Sequence, residues 1–264
     1  MSISAQIAAN LPYLRRYARA LTGSQESGDK FVRATLEAAL ADEALKASMA
    51  EGRVPLYRAF TTLWRSATSG TSDTNRASGL HEGNAQARLS SITPLNRQAL
   101  LLTTLEEFQP HQVGEILGVS GEEVSTLVEE AITEIDREAS TSVLIIEDEP
   151  LISMQLEDLV KSLGHEVFAT AATRTQAQEA VSNGKPGLVL ADIQLADGSS
   201  GLDAVDDILE LGDVPVVFIT AYPERLLTGD RPEPTYLVTK PFREQTVRST
   251  MSQALFFNSS KPIS

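Results

Sequence analysis

The chain contains no cysteine, so disulfides, thiolate metal sites and cysteine nucleophiles are excluded, and a cytoplasmic setting is the expectation. Histidine is nearly as scarce: His81, His111 and His165 stand singly, which leaves no histidine cluster to hold a metal. No apolar run approaches the roughly 20 residues of a membrane span. The opening MSISAQIAANLPYLRRYARA lacks a basic region followed by an apolar core, so neither a leader nor an anchor is expected. Positive charge is also short, with 22 Lys+Arg against 36 Asp+Glu and a net charge of −14. Its distribution is uneven. Residues 1–105 hold 12 basic and 8 acidic side chains, residues 106–138 hold 1 and 10, and residues 139–264 hold 9 and 18. The middle block is the anomaly.

What is present suffices for more than one domain, since 264 residues with 42% hydrophobic content can supply two cores. Helical periodicity dominates the first half: LPYLRRYARAL, DKFVRATLEAALADEAL and PLYRAFTTLWRSA each place apolar residues three or four apart. Residues 66–88, SATSGTSDTNRASGLHEGNAQAR, are small and polar, and they read as a flexible connector between two helical lobes, 1–65 and 89–138. Thr93 is expected to cap the helix that opens at Pro94. Two short helices follow, PHQVGEILGVS and GEEVSTLVEEAITEID, with Ser120 and Glu123 at capping-box spacing in the turn between them.

Near residues 138–142 the period changes. SVLIIED, GHEVFAT, PGLVLAD, VPVVFIT and TYLVT are short Val- and Ile-rich runs separated by helical stretches. Five strands alternating with helices predict a doubly wound, five-stranded parallel sheet over residues 142–256, with its functional site at the carboxyl ends of the strands. Those ends carry Glu147, Asp148 and Glu149 after the first strand, Asp192 after the third, Thr220 on the fourth, and Lys240 with Pro241 after the fifth. Clustered carboxylates repel unless a cation neutralises them, and an oxygen-only ligand set suits Mg²⁺. One carboxylate of such a set can accept a phosphoryl group while the metal and Lys240 offset the charge on its oxygens.

This constellation resembles a two-component receiver domain, a flavodoxin-like fold. The resemblance implies that Asp192 is the phosphoacceptor, with Thr220 and Lys240 completing the reaction site. It also implies that Asp148, Asp192 and the backbone carbonyl of Gln194 ligate Mg²⁺ directly and that Glu147 acts through water. A haloacid-dehalogenase-like phosphatase also phosphorylates an aspartate, but that family places a second acid where this chain has Gln194. Receivers commonly carry an aromatic switch three residues before the lysine, where this chain has Leu237. Tyr236 is one step off and faces the other side of the strand, leaving Tyr222 as either a substitute switch or a helix cap.

The first half resembles an extracytoplasmic-function sigma factor. Leu11, Pro12, Arg16, Ala18 and Leu21 through Gly23 follow the order of its first conserved region, and LNRQALLLTTLEEFQPHQVGEILGVS with the next helix resembles its second. DNA affinity rests largely on Lys and Arg at phosphates. Here VSTLVEEAITEIDRE keeps an apolar stripe (Val124, Leu127, Val128, Ala131, Ile132, Ile135) and turns Glu129, Glu130, Thr133, Glu134 and Asp136 to the other faces. Acidic faces are ordinarily just solvated surface. In this position, however, the helix should be basic. Arg33 and Ala34 likewise stand where sigma factors typically have glutamine and glutamate.

A sigma-like all-α half followed by a receiver resembles the PhyR family of general stress response regulators. The resemblance implies a phosphorylation-activated anti-anti-sigma factor: a monomer that takes a phosphoryl group from a histidine kinase or phosphotransferase. It then sequesters an anti-sigma factor of the NepR type and frees a sigma factor, without specific DNA binding, membrane attachment or enzymatic turnover. The alternative is a response regulator whose sigma-like half binds promoter DNA or core RNA polymerase directly.

Overall fold

The computed structural model describes residues 3–73, 93–182, 184–195, 198, 200–209, 214–221, 223 and 234–259. Helix α1, Ile3–Thr22, buries Ile7, Leu14, Tyr17, Ala18 and Leu21 along one face. Helix α2, Gln25–Ala41, starts at Ser24, whose hydroxyl accepts from the Ser27 amide at 3.1 Å. The two helices touch through backbone, because Gly28 lies so close to α1 that a Cβ there would come within 2.7 Å of the Arg19 nitrogen. That approach puts Asp29 between Arg15 and Arg19, at 2.9 and 2.8 Å. Helix α3, Glu43–Ala50, is capped by Asp42, which accepts from the Ala44 and Leu45 amides. Helix α4, Arg53–Asp73, completes the lobe, and its Tyr57 and Phe60 rings pack on Tyr17.

Burial pushes the Asp29 carboxyl up, but hydrogen bonds and charge from Arg15 and Arg19 outweigh it and hold Asp29 below the usual carboxylate range. A lowered folded value stabilises the fold above the unfolded pKa, about 3.9, and the benefit disappears as pH falls through the folded value. Asp29→Asn is therefore expected to lower the unfolding midpoint at pH 7, with the difference from the wild type closing as pH falls below about 3.9. Thermal melts across a pH series read this directly.

Helix α4 continues to Asp73, eight residues into the segment expected to be connector; residues 74–92 lie outside the described ones. The helical pattern persists because SATSGTSD contains no proline and follows a well-packed helix. The second lobe holds α5 (Leu95–Thr104), α6 (Pro110–Leu117) and α7 (Gly121–Ile135). Thr93 does not cap α5: its hydroxyl donates to the Leu21 carbonyl at 2.6 Å, so its polar group serves a contact with α1 instead. Helices α6 and α7 form the expected helix-turn-helix, with Gly118 left-handed in the turn (φ 75°) and Ser120 accepting from the Glu123 amide.

The chain divides into two compact units at the Thr133/Glu134 boundary, inside α7 rather than at residues 138–142. The reason is local to the second unit: Asp136 pairs with Arg248 and Glu138 accepts from the Ser252 hydroxyl, both on its final helix. That unit runs β1 (Ser142–Ile146), α8 (Pro150–Ser162), β2 (Glu166–Ala171), α9 (Arg174–Ser182), β3 (Leu188–Ala191), α10 (Gly201–Leu209), β4 (Val216–Thr220), β5 (Tyr236–Thr239) and α11 (Glu244–Ser259). All strand pairs are parallel, in the order β2-β1-β3-β4-β5. Leu144, Ile146, Val189, Ala191, Phe218 and Leu237 face α9 and α10, while alternate residues face α8 and α11. With both faces covered, β1, β3 and β4 are almost wholly buried, which explains their unbroken apolar runs, whereas the edge strand β2 buries only Ala171 fully.

Candidate functional site

Four strand ends deliver the polar groups. Asp192 follows β3, and its amide donates to the Ile146 carbonyl at 2.8 Å, tying it to the end of β1 where Glu147 and Asp148 begin. Thr220 ends β4, and its carbonyl accepts the Lys240 amide at 2.7 Å, which ties the ends of β4 and β5 together. These ends surround a cavity of about 430 Å³ lined by Asp148, Glu149, Asp192, Gln194, Thr220 and Lys240, among others. The sheet order makes this convergence possible, because the chain reverses direction of winding between β1 and β3 and opens a crevice there.

Among the described residues, Lys240 is the cation of the site. Its Nζ lies 2.7 Å from Asp192 Oδ2, 2.8 Å from Glu147 Oε2 and 3.5 Å from Glu149 Oε1. The Asp192 contact is a hydrogen bond, whereas the Glu147 oxygen is close without hydrogen-bond alignment. Burial opposes the ammonium charge, but Asp192 and Glu147 overcome it and hold Lys240 above its ordinary pKa. Burial also pushes Glu147 up, only partly countered by Lys240. The other oxygen of Asp192, Oδ1, accepts from the backbone amides of Ile193 at 2.5 Å and Gln194 at 3.3 Å.

Glu147, Asp148 and Asp192 each present a carboxylate oxygen, all within 4.8 Å of one another. One ammonium cannot neutralise three acids and Glu149 besides, so the cavity retains negative charge and suits a divalent cation with oxygen ligands. Gln194 lies on the cavity wall, where its backbone bridges to Ser200. The site therefore brings together Glu147, Asp148, Glu149, Asp192, Gln194, Thr220 and Lys240. Leu237 is buried in the α9/α10 face of the sheet and Tyr236 belongs to the opposite face, as alternation requires. Tyr222 lies outside the described residues.

Gly201 was not among the expected site residues. A Cβ on it would collide with the Asp192 carbonyl oxygen and come within 2.9 Å of the Asp192 carbonyl carbon. Its amide donates to the Ile193 carbonyl at 3.0 Å, so the start of α10 is the backing of the acceptor loop. The only trace in the sequence is a glycine at the head of an amphipathic stretch, GLDAVDDIL.

The second notable surface is on α7. Glu122, Glu123, Glu129, Glu130 and Glu134 are exposed, while Val124, Ala131 and Ile135 are buried. Asp136 follows the helix and pairs with Arg248. In the helix-turn-helix geometry of α6 and α7, this face is the one that would meet DNA.

Against known proteins, residues 7–61 match the sigma2 domain of PhyR, residues 89–138 the sigma-like domain of the response regulator PhyR, and residues 143–252 the response regulator receiver domain. The chain is 52% identical over 262 residues to the phyllosphere-induced regulator PhyR of Methylorubrum extorquens, covering 98% of this chain and 97% of that one. The chain belongs to the PhyR family. Within that family it resembles the crystal structure of the response regulator PhyR from Brucella abortus, with a TM-score of 0.84 and 49% identity over 98% of this chain and 96% of that one. It is also similar to the anti-anti-sigma factor PhyR from Bartonella quintana, with a TM-score of 0.83 and 47% identity over 98% and 97% of the two chains. A PhyR-family chain thus pairs a helical sigma-like half with a parallel-sheet receiver, as the fold here does. No helix among the described residues is long and apolar enough to cross a membrane.

Proposed function

We propose that the chain is a phosphorylation-activated anti-anti-sigma factor. A histidine kinase or phosphotransferase passes a phosphoryl group to Asp192, and the sigma-like half then sequesters an anti-sigma factor of the NepR type, freeing the sigma factor that the anti-sigma factor held. The observation that carries this reading is the exposed acidic face of α7 in a helix-turn-helix lobe. A phosphate backbone is repelled by that face, whereas a polypeptide with basic and apolar side chains is not. The name of the Bartonella quintana relative, an anti-anti-sigma factor, agrees with it.

In the phosphoryl transfer, an Asp192 oxygen attacks the phosphorus of a phosphohistidine. The P–N bond breaks, and the imidazole leaves with the electron pair, producing an acyl phosphate. Lys240, already 2.7 Å from Asp192, meets the added oxygens, and the Thr220 hydroxyl donates to another of them. The Ile193 and Gln194 amides hold the Asp192 carboxylate in place throughout. Glu147, Asp148, Asp192 and the Gln194 carbonyl fit Mg²⁺ as an oxygen-only donor set, and when bound it offsets charge on the phosphoryl oxygens. The acyl phosphate adds about one negative charge, which draws Lys240 and Thr220 inward and with them the tied ends of β4 and β5.

The working parts are a sigma region 2-like lobe at 1–65, a connector at 66–88 whose first eight residues continue α4, a region 4-like lobe at 89–138 and a receiver at 142–256. No turnover beyond the protein's own phosphoryl transfer is assigned, and the setting is the cytoplasm. Direct binding to promoter DNA or core polymerase is left only the modest basic excess of residues 1–105.

Coupling between sites is reciprocal, so a partner that prefers the phosphorylated form must favour phosphorylation. With a small phosphoryl donor and Mg²⁺ at equilibrium, adding the anti-sigma factor is expected to raise the phosphorylated fraction of Asp192, read by intact-protein mass spectrometry. A fraction that does not respond contradicts the coupled model.

A further inference from the structure

Glu106 is a carboxylate of the second helical lobe whose described side-chain partners all come from the first. Its side chain is fully buried. Arg16 Nε meets Oε1 at 3.0 Å, Arg53 Nη2 meets Oε2 at 2.8 Å, and the Tyr57 hydroxyl donates to Oε2 at 2.6 Å. Arg16 also donates to the Leu105 carbonyl and Arg53 to the Glu106 carbonyl. The chain turns sharply here, with Glu107 in the left-handed region at φ 57°, a conformation uncommon for any residue but glycine. That turn aims Glu106 and Phe108 at the same neighbours: the Phe108 ring packs edge-on against Tyr57 at 4.9 Å, with the Arg53 guanidinium 4.6 Å above it. The Thr93 bond to Leu21, and another from Arg65 to the Leu117 carbonyl at 2.8 Å, join the same two lobes elsewhere.

A buried ion cluster is a poor source of net stability but a demanding one in geometry, since any other arrangement of the lobes strands charges away from water. Burial and the Glu106 carboxylate both push the Tyr57 hydroxyl well above its ordinary pKa, so it stays protonated and donating. In this arrangement both oxygens of the Glu106 carboxylate are paired. We infer that Glu106 is a positioning residue that fixes the two sigma-like lobes at one spacing, before and after phosphorylation, and that capture of the anti-sigma factor depends on that spacing. The inference deepens the proposed function and rests on it for its partner. It also supplies a second reason, independent of charge, for the lack of promoter reading: lobes held in one register cannot adjust separately to two DNA elements.

The absence of cysteine makes the test clean, because Leu40→Cys on α2 and Glu115→Cys on α6 are both exposed and introduce the only two thiols for spin labels, one per lobe. In the full-length chain the label-to-label distance distribution is expected to be narrow, with and without phosphoryl donor and Mg²⁺. Glu106→Gln is expected to broaden it and to weaken anti-sigma capture about 5- to 150-fold, an ordinary range for coupled sites, while helical content and Asp192 phosphorylation stay unchanged. Arg53→Gln, at a partly exposed partner, is expected to show the same two effects in smaller measure, and it decides the matter if Glu106→Gln does not fold. Wild-type capture by Glu106→Gln, lost capture with a narrow distribution, or broadening in the phosphorylated wild type would each overturn the inference. If the wild type captures no anti-sigma factor, the proposed function fails, while the distances still decide whether Glu106 holds the lobes.

Discussion

Asp192→Ala is expected to leave the chain folded and blind to phosphoryl donors: no phosphorylated species forms, and capture of the anti-sigma factor stays at the level of the untreated wild type. The expected loss is the whole phosphorylation-dependent gain, about 5- to 150-fold for a coupling of about 1–3 kcal/mol. Folding should survive because the substitution removes one of several mutually repelling acids, and Lys240 keeps Glu147 and Glu149 as counter-charges. The Ile193 and Gln194 amides lose an acceptor, but they sit at the edge of an open cavity where water can replace it. Phosphoprotein mass spectrometry and a binding titration check the two halves of this result. A phosphorylated species in Asp192→Ala would mean that another acid accepts the phosphoryl group, and Asp148 would be the first to examine.

Gly201→Ala is expected to be as damaging to signalling and far more damaging to the receiver itself. The new methyl has no room, because its nearest neighbours are the carbonyl group of Asp192 and the Cα of Ile193, backbone atoms that cannot rotate aside. Relief requires moving either the first turn of α10 or the loop that presents Asp192. Overpacking of this kind typically costs about 1–3 kcal/mol. The displacement falls on the 2.7 Å contact between Asp192 and Lys240, so phosphorylation should fail even in molecules that remain folded. Urea unfolding followed through the receiver, together with the phosphorylation assay, separates the two effects. Wild-type behaviour in both would show that the start of α10 does not brace the acceptor loop.

Strand ends were legible in the sequence because each apolar run stops at a polar residue, and a parallel sheet collects such ends by topology. Asp192 and Lys240, 48 residues apart, are therefore placed together by the strand pattern alone. The acidic face of α7 was equally legible from helical spacing, apart from Asp136, whose partner Arg248 lies 112 residues away on another helix. Contacts of that kind carry no periodic signature. Glu106 reads as one of two adjacent acids in LEEF, and its burial depends on Arg16 and Tyr57, 90 and 49 residues away. Thr93 misled for a related reason: a threonine before a proline has good capping chemistry, but the Leu21 carbonyl claimed its hydroxyl. Gly201 was silent because steric exclusion by a backbone carbonyl leaves no mark on composition or spacing.

The central claim is that a helix-turn-helix lobe with an acidic outer face serves a protein and not a promoter. It is tested most directly by titrating the phosphorylated full-length chain, in parallel, with the anti-sigma factor and with a labelled promoter duplex between 50 and 200 mM salt, concentrations over which phosphate contacts weaken by about 10³- to 10⁵-fold. The account predicts saturable anti-sigma binding that persists across this range and no sequence-selective duplex binding at any point in it. Selective promoter binding with a steep salt dependence, in a chain that leaves the anti-sigma factor free, would contradict it.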